Sequence, residues 1–201
     1  ISVIKDSCVN VVAPYKKDIM QTVMTRVQCF IALMLCAATS ALVRENFILV
    51  ANDEQDRIEQ IDLATQQVHV IVENLTRPRA VSYDSVREVV YWSDLTTRKI
   101  HSVNLDRSGV KTLVSGVNCR GIDVDPVSGD MFYTDYNTRA IYRLSRGADS
   151  PVQIIKATRP TDVKLHLPSQ KLIYTTYNDD TISMADIDGS NPRVIISDGL
   201  T

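Results

Sequence analysis

Four short strands in about 40 residues, recurring in register along the chain, predict an all-β fold built of propeller blades. Three observations carry that reading. Tyr91-Trp92-Ser93-Asp94, Phe132-Tyr133-Thr134-Asp135 and Ile173-Tyr174-Thr175-Thr176 follow one another at intervals of 41 residues, and a weaker copy, Leu49-Val50-Ala51-Asn52, begins 42 residues before the first. Nine residues after each copy begins stands an isoleucine (Ile58, Ile100, Ile141, Ile182), and thirteen further on another apolar residue (Ile71, Leu113, Ile154, Ile195). Against 44% apolar residues, one column apolar in all four copies arises by chance about 4% of the time, and four such columns coincide, so a fixed-period repeat is the economical explanation.

The chain has 201 residues and a formal net charge of −2, with 23% charged and 6% aromatic residues. This is globular composition, and its charge balance excludes a nucleic-acid binder by bulk electrostatics. Residues 1 to 23 precede a targeting segment and open on Ile1, so they read as a leader or a gene-model artefact without a part in fold or function. Residues 24 to 41 read as a signal peptide. Met24 and Arg26 form its basic start, Cys29 to Ala38 its apolar heart, and Thr39 and Ala41 stand where a signal peptidase selects small residues, so cleavage is expected after Ala41. The alternative, an uncleaved anchor, would need about 20 apolar residues, whereas the uncharged run from Val27 to Val43 includes Gln28, Thr39 and Ser40. Cleavage leaves 18 basic and 22 acidic residues, a net −4. It also leaves Cys119 alone among four cysteines. Such an exported domain must be held by its core, with Cys119 a small buried hydrophobe or the partner of a cysteine from elsewhere.

The mature part, 42 to 201, divides into repeats of about 42–76, 77–117, 118–158 and 159–201. The first lacks an innermost strand, because the signal peptide directly precedes Phe47. The second reads as strands over Ala80 to Tyr83, Glu88 to Ser93, Lys99 to Leu105 and Val110 to Val114, with turns at Asp84-Ser85 and Asp106 to Gly109. The third repeats it with Gly121 to Val124, Met131 to Thr134, Ala140 to Leu144 and Val152 to Ile155, turning first at Asp125 to Gly129. The fourth keeps the motif but ends it in Thr176 instead of aspartate, and its close, Ser197 to Thr201, is similar to the linker Val72 to Pro78 that enters a further blade.

Tyr91-Trp92-Ser93-Asp94 and Phe132-Tyr133-Thr134-Asp135 resemble the YWTD motif of low-density lipoprotein receptor class B repeats. Gly121 to Asp125 and the hairpin tips Asn104-Leu105-Asp106 and Asp186 to Ser190 are similar to the rest of that repeat, so the resemblance covers Phe47 to Thr201. It implies a six-bladed propeller, of which this chain would supply about three and a half blades, and a non-catalytic, extracellular receptor of the low-density lipoprotein receptor-related family. A propeller directly after a signal peptide, opening on Phe47 to Asn52 and Arg57-Ile58, resembles the Wnt co-receptor type. The partner implied is an extracellular protein, with no nucleic acid, and with membrane attachment only through a region outside this chain. An endocytic lipoprotein-type receptor and a secreted matrix or growth-factor precursor share the same propeller; a reading of another class is a lactonase-like hydrolase.

The motif residues, Tyr91 to Asp94, Phe132 to Asp135 and Ile173, Tyr174 and Thr175, read as structural: the second aromatic column packs, the first lies on the other face, and Asp94 and Asp135 sit where acceptors can hold free backbone N–H groups. No catalytic residue, cofactor or metal site is expected. His69, His101 and His166 fall in different repeats and no serine or cysteine occupies a nucleophile elbow, although the resemblance leaves room for a histidine in acid-triggered release. Asp186 to Gly189 and Asn178 to Asp180 are acidic but lack the ligand spacing of a calcium loop and read as turns. Asp123 and Asp162, on innermost strands, do not by themselves make the metal cluster a hydrolase needs. Asn74-Leu75-Thr76, the sequon of the mature part, is the expected glycosylation site.

Overall fold

The computed structural model describes residues 47 to 197 in full, with the backbone of Val11–Val12 and Phe30–Met34. The expected cleavage site after Ala41 and the closing residues 198 to 201 lie outside the described residues. The strands are β1 (Val11–Val12), β2 (Phe30–Met34), β3 (Phe47–Asn52), β4 (Arg57–Asp62) and β5 (Val68–Val72) in one sheet; β6 (Pro78–Asp84), β7 (Val89–Asp94), β8 (Lys99–Asn104) and β9 (Lys111–Ser115) in a second. A third holds β10 (Ile122–Val124), β11 (Met131–Asp135), β12 (Ala140–Leu144) and β13 (Val152–Lys156), and a fourth β14 (Pro160–His166), β15 (Lys171–Thr176), β16 (Thr181–Asp186) and β17 (Arg193–Ile196). Apart from the parallel β1–β2 pair, every pairing is antiparallel between sequence neighbours. The fold is therefore all-β, an arc of four propeller blades. Among the described residues no helix is long and apolar enough to cross a membrane.

Ahead of β3, β2 runs antiparallel to it, Phe30 opposite Ala51 and Leu33 opposite Ile48, in the place that β6 takes beside β7. Its five residues belong to the segment read as a signal peptide, so cleavage after Ala41 would leave the first blade with β3, β4 and β5.

The period of two along each strand turns alternate side chains to opposite faces of a blade, and both faces meet a neighbour. Between the first and second blades lies a core of Leu49, Ala51, Ile58, Val81, Val90 and Trp92. Between the second and third it is Ala80, Ile100, Cys119, Ile122, Met131 and Tyr133, and between the third and fourth Phe132, Ile141, Val163, Leu172, Tyr174 and Ala185. Trp92, Tyr133 and Tyr174 thus face the preceding blade, whereas Phe132 and, less deeply, Tyr91 face the following one. The isoleucine column marks a bulge: register slips directly after Ile58, Ile100, Ile141 and Ile182 in all four blades. An extra residue there sharpens the twist that a blade needs.

Candidate functional site

Each motif residue has a duty that its position explains. Ser93 Oγ accepts from Ala80 N and donates to Cys119 O, both at 3.0 Å, and so ties its own inner strand to the next blade. Thr134 Oγ1 accepts from Gly121 N at 3.0 Å, and the Thr175 hydroxyl lies 2.8 Å from that of Thr161. Asp94 Oδ2 accepts from Thr76 N and the Thr76 hydroxyl, and Oδ1 from Thr96 N and Thr97 N. Burial works against its charge, but the N–H groups of Thr97 and Thr76 and the Thr76 hydroxyl outweigh it and hold the carboxyl below the usual range. Asp135 accepts from Asn118 N and Asn137 N. Thr176, in the aspartate's place, turns its hydroxyl to Thr181 at 2.8 Å. Ile173 is half-buried on the blade face that Tyr91 and Phe132 occupy in their blades.

Toward the axis of the arc the inner strands lie side by side and are joined by polar groups. Asp123 accepts from Ser82 Oγ at 3.3 Å and from Leu165 N at 2.8 Å, bridging the second, third and fourth blades. Lys164 Nζ donates to Ile122 O at 2.9 Å and stands 3.6 Å from Asp162 Oδ1. Burial raises the Asp162 pKa against the pull of Lys164, with the charge of Asp123 adding to the rise. Gly121 allows this closeness, since a Cβ there would stand 2.5 Å from Asp162 Oδ1. Among the described residues no group of three or more His, Cys, Asp or Glu could hold a metal ion.

The histidines do not converge. His69 is exposed on β5; His166 is exposed, 2.6 Å from the Ser169 hydroxyl; and His101 stacks on Trp92 with centroids 5.1 Å apart. Cys119 is buried and free, its thiol pushed far up by burial, and donates to Gly121 O. The acidic stretches are turns: Asp188 Oδ1 accepts from Ser190 N and Oγ, Asp186 pairs with Lys171, and Asp180 holds a φ of 45° between β15 and β16. Asn74 is exposed with a φ of 60° in the linker from the first blade to the second.

Asn74 belongs to one end of the arc, where β7, β11 and β15 turn into β8, β12 and β16 and where each outer strand leads to the next inner one. The 41-residue register, applied to polar columns, places arginines there that were missed by reading apolar columns alone. Arg79 and Arg120 share one column, Arg98 and Arg139 another, and Arg77 and Arg159 a third. Tyr136 and Tyr177 join them: Arg120 stacks over the Tyr136 ring at 3.8 Å, Arg159 approaches it at 5.4 Å, and the two tyrosine rings are 6.4 Å apart. A rigid scaffold presenting aromatic and guanidinium groups on loops is suited to protein binding.

No family model matches the chain, and no curated protein matches it in sequence. Solved structures do match in fold. A chain of the nidogen/laminin complex superposes with a TM-score of 0.71 at 18% identity, over 77% of this chain and 61% of that one. A gluconolactonase from Xanthomonas campestris gives 0.65 at 14% identity, over 77% and 61%, and TolB from Acinetobacter baumannii 0.64 at 16%, over 76% and 41%. These likenesses show the propeller fold alone. The chain spans about three fifths of the first of these.

Proposed function

We propose that the chain is part of a non-catalytic, extracellular, ligand-binding propeller of the low-density lipoprotein receptor class B type, carried by a receptor-related protein and possessing the Wnt co-receptor arrangement. The observation that carries the reading is the motif with its hydrogen-bond duties, repeated in register in Ser93, Thr134 and Thr175 and in Asp94 and Asp135. The fold likeness to a chain of the nidogen/laminin complex, itself an assembly of proteins, supports a binding role. The likeness to a gluconolactonase supports a hydrolase only at the level of fold, and propellers host many unrelated functions.

Export is the testable core. Expressed from Met24 in a secretory cell, the product is expected in the secretory pathway, beginning at Leu42, with one N-glycan on Asn74. N-terminal sequencing and enzymatic deglycosylation read both, and a gluconolactone assay of the purified protein is expected to show no turnover. An unglycosylated product confined to the cytosol, or lactone hydrolysis lost on Asp162→Asn, contradicts the reading.

A further inference from the structure

The arginine face just described gathers cations without ion pairs around two tyrosines. At the opposite end of the blades Arg107 and Arg146 are also without an ion pair among the described residues, but Arg87 sits on Asp84, Arg143 on Asp130 and Lys171 on Asp186. Arg77, Arg98, Arg139 and Arg159, by contrast, are in ion-pairing contact with no carboxylate among the described residues. Arg98 donates to Gly116 O and Arg159 to Asn178 Oδ1, both neutral acceptors. Asp94 and Asp135, the carboxylates beneath, are buried and turned onto backbone N–H groups. Backbone geometry does not call for arginine here. Arg98 and Arg139 hold φ values of 56° and 58°, where glycine or asparagine would be at ease.

We propose that this face is the docking site for an acidic protein segment, one that pairs carboxylates with the guanidinium groups of Arg98, Arg139 and Arg77 and lays an adjacent apolar or aromatic side chain on Tyr136 and Tyr177. The proposal rests on the protein-binding reading above. Arginine presents a planar fork that meets a carboxylate with two parallel hydrogen bonds. The Arg120–Tyr136 stack holds one aromatic platform in place before anything binds, which lowers the entropy cost of docking. A long polyanion fits less well, because acidic turns bound the patch on both sides: Asp53, Glu54 and Asp56 on the first blade, Asp179 and Asp180 on the fourth. A short segment lies between them. A sulfated glycan chain would overrun them.

The test uses the full chain and a fluorescein-labelled decapeptide of Asp and Glu around one central Tyr, with its Asn/Gln counterpart, read by fluorescence anisotropy. The acidic peptide is expected to bind at least about tenfold more tightly than the amide counterpart, and to weaken steeply as salt rises from about 50 to about 300 mM. Arg98→Glu with Arg139→Glu, both exposed and outside every core cluster, should weaken it by about tenfold or more with the melting temperature unchanged, whereas Lys111→Glu on the exposed outer strand should not. Equal binding of the two peptides, a double variant that binds as tightly as the parent, or a heparin octasaccharide that binds more tightly than the peptide overturns the proposal. These outcomes stand apart from those for the function: an exported, glycosylated protein that ignores the acidic peptide loses the site and keeps the receptor reading, and a cytosolic one that binds it loses the receptor reading and keeps the site.

Discussion

Trp92 is 2% exposed and packs among Leu49, Ile58 and Val81 between the first two blades. Trp92→Ala should therefore cost about 3 to 5 kcal/mol, the range for large-to-small changes in a core, read in a chemical denaturation curve. Its Nε1 donates to no protein acceptor among the described residues, so Trp92→Phe forfeits volume and no hydrogen bond and should cost clearly less. Equal losses for the two variants would show that packing is not what Trp92 supplies. Its neighbour sets a pH dependence. Burial, with Lys99 adding repulsion, lowers the His101 pKa from 6.5, so between that value and the folded one the unfolded chain binds more protons than the folded chain. Stability should then fall as pH drops below about 6.5 through the lowered folded value, and His101→Gln should flatten that part of the profile in thermal melts at pH 7.5 and 5. Steepening it instead would reverse the sign assigned here.

At the scale of the element, strands and turns were legible because each is short and bounded by turn-formers. Lys99–Asn104, Met131–Asp135 and Ala140–Leu144 fall within a residue of their expected limits, and the 41-residue register gave the blade order. Three features escaped. The bulge opposite each column isoleucine puts its extra residue on the outer strand at Ile71, Leu113, Ile154 and Ile195; that apolar column was legible, but spacing alone does not show that its residues stand unpaired in the ladder. The hydroxyl ties of Ser93, Thr134 and Thr175 link residues 13 or more apart, a pairing that strand alternation alone does not reveal. The arginine columns were in plain view, but they answer to a test of polar periodicity and not to one of apolar periodicity. Gly121 gives a prediction of its own. Its added Cβ would meet the Asp162 Cα at 2.6 Å, backbone that cannot swing aside, so Gly121→Ala should destabilise by about 1 to 3 kcal/mol through overpacking. A melt unchanged within error would mean the inner strands are not this close.

The whole molecule is a row of blades that share faces, and the outermost face on the fourth blade has no neighbour among the described residues. Ile71 and Ile155 are 6% and 4% exposed in their blades, whereas Ile195 and Ile196 in the matching outer strand are 49% and 41% exposed. A bare face of roughly 300 Å² forfeits about 7 kcal/mol at 25 cal/mol per Å², comparable to the stability of a whole domain. Such a face seeks cover. The central claim, that these sheets are blades held by the faces between them, is tested most directly by size-exclusion chromatography with light scattering and a thermal melt on residues 42 to 201 made alone. The account predicts self-association through the end blades or a broad, non-cooperative melt, with Ile195→Asp and Ile196→Asp together reducing the association. A monodisperse monomer melting cooperatively above about 60 °C would contradict it.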